Sequence, residues 1–120
     1  MKRILLADDS ALVRSTLRRL FEDSGWSVCG EASNGQEAIA KAHELRPDIV
    51  VLDLSMPLMN GLTAARIMKE TIPETCLILF TAFGTLLTMD ELKCAGFSAA
   101  ISESDFGKLV NTAQTLLKAA

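Results

Sequence analysis

Two acids, Asp8 and Asp9, sit side by side in "ILLADDS", directly after an apolar run. A third, Asp53, closes the run "DIVVLDL", and a hydroxyl, Thr81, lies toward the end of "CLILFTAF". Like charges at the mouth of a core repel each other and resist desolvation, so such a set needs either full solvation or a cation. Hard divalent cations take oxygen ligands, and Mg²⁺ typically uses one or two carboxylates with water and phosphate oxygens. Each residue also has a plainer reading. Asp9 and Ser10 are good N-caps for "ALVRSTLRRL", Asp53 can be a strand-ending acid facing solvent, and Thr81 a β-branched residue in its preferred element. What separates the readings is whether the fold brings these residues to one place.

The elements that would position them follow from two alternating periods. The runs "ILLA" (4–7), "DIVVLDL" (48–54) and "CLILFTAF" (76–83) are too short for helices and rich in Ile, Val, Leu and Phe, as strands covered on both faces are. "WSVCGEA" (26–32) and "FSAAIS" (97–102) mix polar with apolar residues, as strands at sheet edges do. Between them run helical stripes: Val13, Leu17, Leu20 and Phe21; Ala38, Ile39, Ala42 and Leu45; Leu109, Val110, Ala113, Leu116 and Leu117. Two further helices are predicted over 62–70 and about 85–95.

Strand alternating with helix five times makes βαβ units with right-handed crossovers, hence an α/β doubly wound five-stranded parallel sheet with helices on both faces. If the three most apolar strands are central, the order is 2-1-3-4-5, that of flavodoxin-like folds. The switch point then falls between the first and third strands, and ligands bind there beyond the carboxyl ends of the strands. Asp8, Asp9, Asp53 and Thr81 all belong to that rim, which favours a cation site over four separate coincidences.

With 120 residues, 49% of them hydrophobic and 22% charged, the chain suits one compact domain, expected to span 1–120. A net charge of −3 with scattered Lys and Arg argues against a direct nucleic-acid surface. No stretch approaches the ~20 apolar residues of a membrane span, and the start "MKRILLADDS" is no signal peptide, so a cytoplasmic location is expected. Cys29, Cys76 and Cys94 form no C-x-x-C and are expected as reduced core thiols. His43 is expected to be solvated. Met56, Met59, Met68 and Met89 are expected to pack in loops and core, and Trp26 against an edge strand.

Over essentially its whole length the sequence resembles the receiver domain of two-component response regulators. "ILLADDS" resembles the opening strand with its acidic pair, "DIVVLDLSMPLMNG" the D-x-x-M-P-x-x-[ND]-G phosphoacceptor segment, and "ASNGQEA" and "FTAFG" match further positions. The resemblance implies that Asp53 takes a phosphoryl group from the phosphohistidine of a sensor histidine kinase or histidine phosphotransfer protein. It implies Mg²⁺ or Mn²⁺ on Asp9 and Asp53 directly, on Asp8 through water and on the backbone carbonyl of Ser55. Thr81 would hydrogen-bond the phosphoryl group, and small Ala82 would leave room beside it. An output domain or a second copy would meet the surface of the fourth helix, fifth strand and fifth helix. Slow self-dephosphorylation would be the only enzymatic activity.

Two positions depart from the pattern. In "GFSAAISESDF", Glu103 stands where the family carries a phosphoryl-binding Lys, and Ala100 where it carries a switch aromatic. Lys93 and Lys108, the nearest lysines, fall in helical segments. The metal ligands and nucleophile remain, so phosphotransfer is expected with a weakened response. The alternative is a phosphorylation-independent interaction module. An aspartyl-phosphate hydrolase of the haloacid dehalogenase type would need a second Asp two residues beyond the nucleophile, where this chain has Ser55.

Overall fold

The computed structural model describes residues 2–81 and 87–119. Strands β1 (Arg3–Ala7), β2 (Ser27–Ala32), β3 (Ile49–Leu52), β4 (Cys76–Thr81) and β5 (Phe97–Ser102) alternate with helices α1 (Ala11–Asp23), α2 (Gly35–Leu45), α3 (Gly61–Thr71), α4 (Met89–Ala95) and α5 (Leu109–Ala119). All neighbouring strands pair in parallel, in the order β2-β1-β3-β4-β5. The doubly wound sheet expected from the alternation of periods is the one observed.

Side chains of a strand alternate between faces, and here both faces are covered. Leu5, Ala7, Val50, Leu52, Leu77 and Leu79 pack with Ala38 and Ala42 of α2, Ala64 and Met68 of α3, and Leu92 of α4. Ile4, Leu6, Ile49, Val51, Ile78 and Phe80 pack with Leu17 and Phe21 of α1 and Leu109 and Ala113 of α5. Burying a side chain such as Leu17 or Phe21 contributes about 1.5–3 kcal/mol, which is how α1 is held although its exposed face is polar. Trp26 is buried just before β2, edge-on to Phe21 at 5.5 Å.

Strand β3 is shorter than its apolar run, Ile49–Leu52 against 48–54. At the start of β3, the Asp48 carboxylate accepts a hydrogen bond from the Arg3 backbone amide at 2.9 Å and stays outside the strand. The Cys expectation is corrected: all three thiols are free, but Cys29 and Cys76 are half-buried and Cys94 is exposed on α4. Cys29 lies on edge strand β2, where Sγ reaches only the Ile4 carbonyl, at 3.4 Å. Met89 also departs from expectation: as the first residue of α4 it is 54% exposed. His43 is half-buried, and its Nε2 lies 2.8 Å from Thr71 Oγ1. The Thr71 hydroxyl donates to the Ile67 carbonyl, so the imidazole is the donor in the contact that ties α2 to α3. No helix among the described residues is long and apolar enough to cross a membrane.

Candidate functional site

The parallel ladder runs one residue past β1 and β3 and fixes the backbone of two acids. Asp8 N–H donates to the Ala32 carbonyl at 3.0 Å, and Asp53 N–H donates to the Ala7 carbonyl at 2.9 Å. Each carboxylate then folds back on its own loop. Ser10 N–H donates to Asp8 Oδ1 at 2.9 Å and Ser55 N–H to Asp53 Oδ1 at 3.3 Å. Helix α1 is capped by Ser10, whose side chain accepts from Val13 N–H at 3.2 Å, so neither acid is occupied as its cap. Of the two N-cap candidates, Ser10 has the role and Asp9 stays exposed beside the cleft.

One oxygen from each of Asp8, Asp9 and Asp53 lies within 4.8 Å of the others. The three, with Ser10, Val13, Ser55, Thr81 and Glu103, line a cleft of about 360 Å³ at the carboxyl ends of β1, β3 and β4. Asp8 and Asp53 are only 2% and 8% exposed. Burial first, then the neighbouring acids, push the Asp8 carboxyl up to about 6 and the Asp53 carboxyl up to about 7. The opposing contributions are the Ser10 and Ser55 amides, and they do not prevail. Asp8 Oδ2 is fully buried and has no hydrogen-bond partner among the described residues. A buried, unpaired carboxylate oxygen is costly, and a divalent cation among the three acids would satisfy it. The donor set, all hard oxygens, fits Mg²⁺ or Mn²⁺.

A loop and a glycine set the depth of the cleft. Gly61 N–H donates to the Leu54 carbonyl at 3.0 Å, and a Cβ at position 61 would collide with the Asp53 carbonyl. Helix α3 can therefore begin directly behind Asp53, with Asn60 as its cap. Before it, Leu58 adopts a left-handed backbone, φ 65°, inside a tight turn closed by Met59 N–H on the Pro57 carbonyl at 2.7 Å.

Thr81 pairs with Ser102 across β4 and β5, so Glu103 opens a 3-10 turn (Glu103–Lys108) beside the Thr81 end of the cleft. Ala100 pairs with Leu79 and is exposed. Lys93 lies in α4 and Lys108 at the end of the 3-10 turn, 74% exposed and 4.0 Å from Asp105. Neither lines the cleft. Ala82 is outside the described residues.

Two features were missed in the sequence. The Arg14 guanidinium donates to the Asp8 carbonyl at 2.5 Å and to Glu31 Oε1 at 3.1 Å, bracing β1 against α1 and β2. Burial would raise the Glu31 carboxyl, but Arg18 at 2.7 Å and Arg14 more than offset it and hold it below the usual range. The second feature is an apolar groove next to the cleft, lined by Leu12, Val13, Leu17, Phe80 and Phe106, with Glu103 on the shared wall. Leu12, 77% exposed on α1 and off its apolar stripe, was the legible signal.

Residues 4–114 match the family model of the response regulator receiver domain. A chemotaxis protein CheY of Thermotoga maritima is 40% identical over 95 residues, covering 79% of either chain. The response regulator TrrA of Thermotoga maritima, solved in complex with Mg²⁺ and a beryllium fluoride, superposes with a TM-score of 0.88 at 28% identity, over 97% of this chain and 99% of that one. A protein-glutamate methylesterase/protein-glutamine glutaminase of Archaeoglobus fulgidus is 41% identical over 93 residues, 76% of this chain. The chain spans only 27% of that enzyme's length.

Proposed function

This chain belongs to the response regulator receiver domain family, and we propose that it accepts a phosphoryl group on Asp53 from the phosphohistidine of a sensor histidine kinase or histidine phosphotransfer protein. The observation that carries the reading is the convergence of Asp8, Asp9 and Asp53 within 4.8 Å in one cleft that Thr81 also lines. An Asp53 carboxylate oxygen attacks phosphorus, the new O–P bond forms as the P–N bond breaks, and the electron pair returns to the imidazole of the donor. Asp8, Asp9 and Asp53, with the Ser55 carbonyl, would hold Mg²⁺ or Mn²⁺, which when bound offsets the charge on the phosphoryl oxygens during transfer. Thr81 donates its hydroxyl to a phosphoryl oxygen. Leu12 and Phe106, 77% and 43% exposed beside the cleft, give the donor protein an apolar footing. Exchange with a kinase places the domain in the cytoplasm. The domain signals by contact, through α4, β5 and α5, with an output domain or a second copy.

A second reading, a phosphorylation-independent interaction module, is favoured by one observation: Glu103, not a cation, stands on the cleft wall. Intact-mass analysis with acetyl phosphate and Mg²⁺ decides between them. The phosphoacceptor reading expects one added phosphoryl group that disappears in Asp53→Asn. No labelling of the natural chain selects the module, and unchanged labelling of Asp53→Asn moves the chemistry to another residue.

A further inference from the structure

Glu103 has no ion-pair or hydrogen-bonding partner for its carboxylate among the described residues, yet it is half-buried on the wall of a cleft already holding three acids. Its charge reaches both Asp8 and Asp53. No Lys or Arg lines that cleft among the described residues. Arg14, the guanidinium close by, is committed to Glu31 and to the Asp8 carbonyl, and Lys108 lies out in solvent near Asp105. An acid placed here opposes the arrival of any further anion and favours a cation.

We propose that Glu103 is part of the cation site, making the cleft a four-carboxylate pocket whose β5 wall grips the hydration shell of a divalent cation. The proposal rests on the metal-site reading above and deepens it. Asp8, Asp9 and Asp53 are the inner set, since among the described residues their oxygens alone gather within 4.8 Å. Glu103 lies outside that group but lines the same cleft. Mg²⁺ gives up its waters reluctantly and keeps several even when bound to protein carboxylates. Waters kept by a bound cation would find an acceptor in the Glu103 carboxylate on the cleft wall. The buried, unpartnered Asp8 Oδ2 is the independent sign that the pocket is shaped for a cation. Glu103 acts as a positioning residue for the ion: it adds affinity by charge and by hydrogen bonds to water, without joining the inner set.

Calorimetric titration of MgCl₂ and of MnCl₂ into the full chain, at fixed ionic strength, tests this. Glu103→Gln is expected to weaken binding by about threefold to tenfold and Glu103→Lys by more than about tenfold, because the charge acts within one partly solvent-screened cleft. Glu44→Lys, an exposed site on the last turn of α2 at the other end of the sheet, makes the same change in net charge and is expected to stay within about twofold. Thermal unfolding of each variant checks that the fold is intact. Affinity unchanged in both Glu103 variants, or a loss in Glu44→Lys as large as in Glu103→Lys, overturns the proposal. If the natural chain binds but Asp9→Ala does not, such a result leaves the three-acid site standing. Absence of binding by the natural chain removes both.

Discussion

The carboxyl groups of Asp8 and Asp53 are raised to about 6 and about 7 by burial first and then by neighbouring acids, Glu103 and Asp9 for Asp8, and Asp8, Asp9 and Glu103 for Asp53. In the unfolded chain an aspartate titrates near ~3.9, so between that pH and about 7 the folded state holds protons that the unfolded state has released. A raised acid contributes its stability fully below the unfolded value, and that stability is lost as pH rises through the folded value. The metal-free protein is therefore expected to be less stable at pH 8 than at pH 5, by on the order of 1–2 kcal/mol once water at the mouth of the cleft is allowed for. Urea midpoints at the two pH values measure it. Asp53→Asn should flatten the difference and raise the pH 8 midpoint, since a neutral amide replaces a buried charge. Mg²⁺ should stabilise the natural protein more at pH 8 than at pH 5, because protons and cation compete for the same oxygens. A pH-independent midpoint without metal would show that water, not burial, governs these acids.

Beside that site the β3–α3 loop works by what its neighbours omit and what it strains. Gly61 leaves out the Cβ that would strike the Asp53 carbonyl, and Gly35 leaves out one that would strike the Met59 carbonyl, to which its own N–H donates at 3.0 Å. Gly61→Ala is expected to cost about 2–3 kcal/mol, in the range of overpacked sites that must move backbone. It should also weaken Mg²⁺ binding, since the carbonyl that must yield belongs to Asp53. Leu58→Gly, three residues earlier, should act in the opposite sense. An L-residue in the left-handed region is strained by roughly 1–2 kcal/mol, and Leu58 at φ 65° is 76% exposed with little packing to lose. A gain of about 0.5–1 kcal/mol is expected after the glycine's extra chain entropy is subtracted. Denaturant curves on both variants check the pair. The sequence made the strands and helices legible because their periods are local, and the D-x-x-M-P-x-x-N-G segment marked the loop. It did not reveal that Gly35 of α2 leans on Met59 of the β3–α3 loop, or that Arg14 braces Asp8, because those contacts join residues that no local pattern relates. The thiols were misjudged for the same reason: small apolar character suits a core, but Cys94 faces outward on its short helix and Cys29 and Cys76 sit only half-covered.

At the scale of the molecule the question is how occupancy of the cleft would reach a partner surface. Leu92 of α4 belongs to the apolar core on one face of the sheet, and Leu109 of α5 to the core on the other. The strand that touches both helices is β5, at the sheet edge, and its register ties Thr81 to Ser102 and Leu79 to Ala100. On the proposed phosphoacceptor reading, movement of Thr81 toward a phosphoryl group would pass to β5 and then to both helices. A two-state element shifts only by the difference in free energy that its ligand supplies to the two states. Here Glu103 opposes the phosphoryl group at the end of β5, and exposed Ala100 has no large side chain to exchange between environments. Phosphorylation is thus expected to perturb the α4, β5 and α5 surface weakly. Amide shift changes at Leu92, Ala100 and Leu109 on adding beryllofluoride, with Mg²⁺ saturating in each protein, measure the response. They should be small in the natural chain and larger in the double substitution Glu103→Lys/Ala100→Tyr, which restores both a cation for the phosphoryl group and a side chain that can change place. Large, saturating shifts in the natural chain would show that another residue couples the cleft to the surface.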